Sequence, residues 1–151
     1  KGKRLGLIGG AGRIAQQLEK YAYGIGMQVS TYDSKYSTEF RNNVNELLRE
    51  SDIVSLHITA DDKNKNFMDK EKFEMMKDGA IFLNPARDWL VDNNALKGAL
   101  QSGKIAGCWT DFKLPFEHPN LIITDHKGGP TKESRAKSEM IIARKLDKLY
   151  N

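Results

Sequence analysis

Short apolar runs rich in isoleucine, valine and leucine alternate along the chain with longer stretches in which apolar residues recur every three or four positions. The short runs are typical of buried strands, and the longer period is typical of helices with one buried face. The pattern predicts strands over residues 4–9, 27–32, 53–57, 80–84, 105–111 and 121–124. It predicts helices over residues 13–25, 39–49, 70–76, 93–101 and 131–149. This alternation indicates a doubly wound α/β fold with a parallel sheet, in one domain over residues 1–151.

Two of the predicted helices carry local signals. In helix 13–25 the residues Ile14, Leu18 and Tyr21 fall on one apolar face. Helix 93–101 begins directly after Asp92, whose carboxylate is a good N-cap.

Composition narrows the class of protein. With 151 residues, 39% hydrophobic and 29% charged, the chain is typical of one soluble globular domain. No apolar run approaches the roughly 20 residues that span a bilayer, so we expect no membrane association. The apolar run near the start is interrupted by Gly9 and Gly10, which favours a first strand over a signal peptide.

Charge and cysteine content exclude further classes. The net charge is only +4, and apart from the last predicted helix the basic residues are spread along the chain, so nucleic-acid binding is not expected. The single cysteine, Cys108, cannot form an intrachain disulfide, which favours a cytoplasmic location.

The first strand leads directly into a glycine-rich turn, Gly9-Gly10-Ala11-Gly12-Arg13-Ile14-Ala15. In it, Gly10-x-Gly12-x-x-Ala15 fits the dinucleotide-binding fingerprint. Gly10 would permit the tight turn, and Gly12 would let a pyrophosphate approach the backbone. Ala15 would allow the helix to pack closely on the sheet. About 20 residues further on, Asp33 ends the second strand, where a carboxylate can accept hydrogen bonds from ribose hydroxyls. An acid there favours NAD over NADP.

Other interpretations of these residues are open at this point. A glycine-rich turn followed by a strand-end aspartate also occurs without a nucleotide. A methyltransferase likewise ends its second strand in an acidic residue. A short-chain dehydrogenase would need a Tyr-x-x-x-Lys pair downstream, but the only tyrosine after Tyr36 is Tyr150.

Several segments in order resemble the D-2-hydroxyacid dehydrogenases over nearly the whole chain. They are LGLIGGAGRIAQQ, YDS, LLRESDIVSLHI, MKDGAIFLNPARDWLVDNNAL, ALQSGKIAGCWTDF and NLIITDHKGG. The resemblance implies a Rossmann-type NAD-binding domain and an oxidoreductase that interconverts a D-2-hydroxy acid and a 2-oxo acid by hydride transfer.

The resemblance also implies roles for particular residues. Those matching cofactor-binding positions of the family are Gly10, Gly12, Arg13, Ile14, Asp33, Thr59, Ala86, Asp111, Gly128 and Gly129. Arg87 matches the arginine that holds the substrate carboxylate, for which a guanidinium fork is well suited. His126 matches the acid/base histidine. Glu117 is the only acid in the shortened loop where the family places the glutamate partner of that histidine.

The chain also departs from the family. It has Thr59 in place of the usual proline, Asp88 in place of a glycine, Asp125 in place of a proline, and one extra residue in the glycine turn. Asp88 or Asp125 is an alternative to Glu117 as the partner of His126. We expect little turnover by the chain alone, because the family's substrate domain is not in this sequence.

Two functions from different classes follow from the sequence. The retained Arg87 and His126 favour the enzyme, acting on a small 2-hydroxy or 2-oxo acid. The short loop at Glu117 favours an NAD(H)-binding regulatory or interaction module without catalysis. The family's usual homodimer is a further expectation.

Overall fold

A computed structural model describes residues 2–35 and 43–124 of the chain. Within these ranges the strands are β1 (Arg4–Ile8), β2 (Gln28–Tyr32), β3 (Ile53–Leu56), β4 (Ala80–Asn84), β5 (Ile105–Thr110) and β6 (Leu121–Ile123). The helices are α1 (Arg13–Gly24), α2 (Val44–Glu50), α3 (Lys70–Met75) and α4 (Asn93–Gln101). Two 3-10 turns lie at Asp62–Asn64 and Asp88–Leu90.

The six strands form one parallel sheet in the order β2-β1-β3-β4-β5-β6. The chain moves from β1 to β2 on one side and then crosses to β3 on the other side of β1. The fold prediction is therefore confirmed. The carboxyl ends of β1 and β3 flank the point where the strand order reverses, and open α/β sheets bind their ligands at that crevice.

The two faces of the sheet are covered unequally within the described residues. On one face, Leu5 and Leu7 of β1 pack under Ala15 and Ala22 of α1. On the other face, side chains of α2, α3 and α4 pack on β1, β3, β4 and β5 and form the larger core. The rings of Phe73 and Phe82 meet edge-to-face there, with centroids 5.2 Å apart, an arrangement that aromatic pairs prefer.

The apolar face predicted for the first helix is wrong in part. Leu18 does pack against the core of α1 and β1, but Ile14 is 72% exposed and Tyr21 is 65% exposed. The residues that α1 buries are the small Ala15 and Ala22, because the helix lies close to the sheet and only short side chains fit between them.

Several predicted boundaries are shifted. The strands β1, β3, β5 and β6 end one residue earlier than predicted, at Ile8, Leu56, Thr110 and Ile123. The predicted helix 39–49 is helical from Val44, where Asn43 caps it by accepting hydrogen bonds from two backbone amides. The part of that prediction over residues 39–42 and the predicted helix 131–149 lie outside the described residues.

The predicted N-cap is confirmed. The Asp92 carboxylate accepts hydrogen bonds from the amides of Asn94 and Ala95 at 2.8 and 3.2 Å. Neither 3-10 turn was predicted, since three residues are too few to show a periodic pattern. Within the described ranges no helix is both long and apolar enough to cross a membrane.

Candidate functional site

The glycine-rich turn closes the carboxyl end of β1 against its neighbouring strands. Gly9 adopts φ +90°, a left-handed conformation that favours glycine. A Cβ built on Gly9 would lie 2.6 Å from the carbonyl carbon and oxygen of His57. The Gly9 amide donates to the Tyr32 carbonyl at 2.7 Å, and the Gly12 amide donates back to the Gly9 carbonyl at 3.1 Å. The turn is therefore held against both β2 and β3.

The sequence analysis did not select Gly9 as a site residue, and it gave the tight turn to Gly10. The left-handed residue is Gly9. Gly10 has a different reason to be small, because a Cβ there would lie 2.7 Å from the Thr31 Cβ.

The N-terminus of α1 points out of this turn with its amides available. Gly12 is the N-cap and has no side chain to accept from them, and the first turn contains no acidic residue. The partial positive charge of uncapped amides at a helix N-terminus attracts anions, phosphate above all. Arg13 and Ile14 are the first two residues of α1, and both side chains are exposed.

Asp33 follows the end of β2, and backbone amides hold its carboxylate. One oxygen accepts from the Ala11 amide at 3.2 Å, and the other accepts from the Lys35 amide at 3.0 Å. Each carboxylate oxygen can accept a further hydrogen bond. The Ala11 amide of the glycine turn thus helps to fix the acid that the sequence analysis assigned to ribose binding.

A cavity of about 670 Å³ opens between the glycine turn, Asp33 and the loop after β3; we call it the ribose cavity. Its lining residues include Gly9, Gly12, Asp33, Lys35, His57, Thr59, Lys63 and Phe67. Thr59 is exposed, and its carbonyl accepts from the Asn64 side chain at 2.8 Å and the Asp61 amide at 3.1 Å. These bonds fix the shape of the loop that forms the far wall of the cavity.

His57 lies at the centre of the crevice, directly after β3. Its Nε2 is 2.9 Å from the Ser55 Oγ. Burial lowers the pKa of His57 from 6.5 to about 4, so the imidazole is neutral at physiological pH.

The low pKa of His57 predicts a specific loss of stability in acid. In the unfolded chain the imidazole binds a proton as the pH falls through 6.5, whereas the folded chain takes it up only near 4. The contribution of the neutral His57 to the free energy of unfolding is therefore fully present above pH 6.5. It is lost as the pH falls from 6.5 to about 4, and it amounts to about 3 kcal/mol. Urea unfolding at a series of pH values measures this loss.

His57→Gln should flatten that part of the pH profile, and the same change at His118 in the β5–β6 loop is the matched control. Asp52 does not obscure the result. The Arg4 amide and the Lys77 ammonium lower its pKa below the usual range, so its contribution is lost at more acidic pH. A slope that survives His57→Gln would contradict the assignment.

The loop after β4 presents Arg87 to the same crevice. Asn84 is buried and shapes this loop, since its side chain accepts from the Ala86 amide at 3.1 Å and donates to the Arg87 carbonyl at 2.8 Å. The Arg87 side chain is exposed, and its Nη1 donates to the Ala86 carbonyl at 2.7 Å. Within residues 2–35 and 43–124 it forms no ion pair.

A second cavity, of about 530 Å³, joins the start of α1 to this loop; we call it the arginine cavity. Its lining residues are Gly12, Arg13, Ile14, Ala15, His57, Ile58, Thr59, Ala60, Pro85, Ala86, Arg87 and Trp89. The set contains two guanidinium groups and no carboxylate. It is therefore suited to an anion, and it shares Gly12, His57 and Thr59 with the ribose cavity.

The remaining predicted site residues do not line the ribose cavity or the arginine cavity, or they lie outside the described residues. Asp111 is 7% exposed at the end of β5, and its carboxylate accepts from the Thr124 hydroxyl at 2.6 Å. Glu117 is exposed on the loop between β5 and β6 and lines neither of the two cavities. His126, Gly128 and Gly129 lie outside the described residues.

A third cavity, of about 690 Å³, is almost entirely apolar and lies between α1 and the exposed side of the sheet. Its lining residues include Ile14, Leu18, Tyr21, Leu83 and Trp109. Its walls offer few partners for sugar hydroxyls or phosphates, so we do not assign it to a nucleotide.

Two other kinds of site find no support in the described part of the chain. It contains no group of three or more histidine, cysteine, aspartate or glutamate side chains that could hold a metal ion. Burial raises the pKa of the Cys108 thiol to about 12, so this side chain is not an activated nucleophile.

The site fits a dinucleotide. Three features meet at the switch point of the parallel sheet: a glycine turn without room for a Cβ, an uncapped helix N-terminus and a strand-end carboxylate. This combination defines the class of dinucleotide-binding domains. A protein-family model described as "D-isomer specific 2-hydroxyacid dehydrogenase, NAD binding domain" matches residues 1–128. The chain belongs to this family, and NAD is the cofactor of its domain.

Known proteins agree with this placement. The chain is 34% identical to D-3-phosphoglycerate dehydrogenase of Methanocaldococcus jannaschii, over 98% of the chain and 31% of that protein. It is 33% identical to glyoxylate reductase of Thermococcus litoralis, over 97% of the chain and 48% of that protein. The crystal structure of D-lactate dehydrogenase with NAD+ from Lactobacillus jensenii superimposes with a TM-score of 0.82 at 31% identity, over 94% of this chain and 51% of that one. The chain thus spans about one third to one half of the length of these relatives.

Proposed function

We propose that this chain forms the NAD-binding part of an enzyme that interconverts a D-2-hydroxy acid and a 2-oxo acid. The observation that carries the proposal is the position of Arg87. Its guanidinium lies in the same cavity as the N-terminus of α1, and no carboxylate neutralises it among the lining residues. An arginine so placed can bind a substrate carboxylate beside a nucleotide whose phosphates rest on the helix.

The cofactor-binding roles follow from the cavities. Gly10, Gly12, Arg13 and Ile14 form the pyrophosphate end of the site, and the fixed carboxylate of Asp33 accepts the ribose hydroxyls. We place Thr59 beside the adenosine, and the residues assigned to the nicotinamide end are Ala86, Asp111, Gly128 and Gly129. NAD supplies the hydride acceptor when it is bound. His57, next to the glycine turn, is neutral and therefore adds no positive charge to the cofactor site.

Some of the residues proposed for the acid/base chemistry lie within the ranges that the structure describes, and others lie outside them. Arg87 holds the substrate carboxylate and polarises the adjacent carbonyl oxygen. His126 gives a proton to that oxygen, or takes it from the hydroxyl in the reverse direction. Glu117 is the proposed partner of His126, and Asp88 or Asp125 is the alternative partner.

We further propose that a separate substrate domain completes the active site and excludes water from it, because the relatives are about two to three times as long as this chain. A cytoplasmic location and a homodimer belong to the same proposal. The function is tested by mixing the enzyme with NADH and glyoxylate, pyruvate or hydroxypyruvate and following the absorbance of the reduced nicotinamide. Tight NADH binding without oxidation by any 2-oxo acid would overturn the enzymatic proposal in favour of a regulatory NAD(H)-binding module.

Asp33 offers a direct test of the cofactor-binding part. Asp33→Asn removes the charge that favours ribose hydroxyls and repels a 2′-phosphate, so NADH affinity should fall by about 10–150-fold, since a hydrogen bond to a charged group contributes about 1.5–3 kcal/mol. The NADH-to-NADPH affinity ratio should fall as well. Fluorescence titration with both nucleotides measures these changes.

The matched control for this test is Asp62→Asn, which changes a nearby aspartate that does not line the ribose cavity. It should leave the affinity ratio as it is in the unmodified chain. An unchanged ratio in the Asp33 variant would show that the acid does not contact the ribose.

A further inference from the structure

Trp89 is a large aromatic side chain that is 48% exposed, at the end of the exposed run Arg87, Asp88 and Trp89. The residues that follow it, Leu90 and Val91, are 0% and 3% exposed. A half-exposed indole is a common anchor for a bound molecule, since most of its surface is apolar and it loses little rotamer freedom on binding. Trp89 is therefore a candidate anchor for a bound molecule.

The backbone around Trp89 is fixed by hydrogen bonds to the loop after β3. The Trp89 carbonyl accepts from the Asn66 amide at 2.9 Å, and the Leu90 carbonyl accepts from the Met68 amide at 2.9 Å. The Asp92 amide then donates to the Met68 carbonyl at 2.9 Å. A side chain on such an anchored turn keeps its position, which a selective binding surface requires.

The indole lines the arginine cavity together with Arg87 and Ile14. With Arg13 and Ile14 assigned to the cofactor, the part of this cavity that is left for a substrate is cationic at Arg87 and apolar at Trp89 and Pro85. A ligand that matches it carries an anionic group at one end and an apolar group next to it. A 2-oxo acid with a hydrocarbon side chain has that arrangement.

We propose that Trp89 is a specificity-determining residue that forms the wall for the substrate's side chain when Arg87 holds its carboxylate. This inference rests on the proposed function. It assigns the substrate class as 2-oxo or 2-hydroxy acids with a branched or aromatic apolar side chain. A phosphorylated side chain is disfavoured, because an indole offers no charge to replace the water that the phosphate loses. Glyoxylate is disfavoured because it has no side chain to bury.

The test uses the enzyme with 4-methyl-2-oxopentanoate and glyoxylate as the two substrates. Trp89→Ala should lower the ratio of kcat/KM for 4-methyl-2-oxopentanoate to that for glyoxylate by about 10–100-fold, the discrimination that a hydrophobic pocket gives. Trp89→Phe, which keeps an aromatic wall, should retain most of the ratio. Equal effects of Trp89→Ala on both substrates would overturn the proposal.

A binding measurement separates this inference from the proposed function. The chain has two tryptophans, and Trp109 lines the apolar cavity rather than the arginine cavity. Trp109→Phe therefore leaves Trp89 as the only indole of this chain, and the emission that disappears when Trp89→Phe is added is that of Trp89. With NAD+ present, 4-methyl-2-oxopentanoate should change its emission at concentrations at least about 10-fold lower than glyoxylate does.

The two failures have different signatures. If no 2-oxo acid oxidises NADH but the emission still responds selectively, the proposed enzymatic function fails and the binding role of Trp89 stands. If turnover occurs while the emission of Trp89 responds to neither acid, the assignment of Trp89 is wrong.

Discussion

Replacing Gly9 with alanine is expected to lower the free energy of unfolding by about 3 kcal/mol, more than a typical single substitution does. The added Cβ would lie 2.6 Å from the His57 carbonyl, a distance that real contacts do not reach. The residue is also held at φ +90°, where an L side chain costs about 1–2 kcal/mol by itself. The turn must therefore move away from β3.

The same substitution should weaken NADH binding at least about 100-fold, because a shift of the turn displaces the helix N-terminus that meets the pyrophosphate. Urea unfolding and NADH titration measure the two effects. Gly98→Ala in α4 is the matched control, since nothing lies within 4 Å of a Cβ built there. It should stabilise the chain by about 0.5–1 kcal/mol. Normal NADH affinity in the Gly9 variant would show that the turn does not position the cofactor.

The fold could be predicted because its information is local. Each strand is a short apolar run, and each helix has either a cap, such as Asp92, or a periodic pattern. The position of α1 shows the limit of this information. Periodicity identified the apolar side chains of Ile14 and Tyr21. Of the small residues that face the sheet, the fingerprint predicted Ala15 but nothing predicted Ala22, because helix-to-sheet distance is set by packing between distant segments.

The candidate site could be predicted only where the sequence carries a known spacing. Gly12 and Asp33 stand at fingerprint distances, and the structure brings them to one crevice. Gly9, His57 and Asn84 act through contacts with residues elsewhere in the fold. The clash that excludes a side chain at Gly9 involves a residue 48 positions away, and no local pattern records it.

The extra residue of the glycine turn illustrates how geometry resolves a departure from the family pattern. The sequence shows only that the turn is longer by one residue. The structure shows that the turn is well formed, since Gly9 makes a left-handed bend and the Ala11 amide donates to the Asp33 carboxylate. The departure therefore does not argue against a dinucleotide site.

Replacing Arg87 with methionine is expected to lower kcat/KM for any 2-oxo acid by about 1,000-fold, the loss seen when a donor to developing charge is removed from an active site. The affinity for NADH should change by less than about 3-fold, because we place the guanidinium on the substrate carboxylate and not on the cofactor phosphates. Steady-state kinetics and NADH titration on the same preparation measure both quantities. The methionine keeps a side chain of similar length, so the loss reports on the charge and its donors.

Two further variants decide what the guanidinium does. Arg87→Lys keeps the positive charge but lacks the planar fork, so its activity should lie between those of the methionine variant and the unmodified enzyme. Arg49→Gln removes an exposed arginine of α2 that lines neither cavity, and it should leave the kinetics as they are. A methionine variant that loses NADH affinity as strongly as it loses activity would place Arg87 on the cofactor. In that case the second guanidinium of the cavity, Arg13, would become the candidate for the substrate carboxylate.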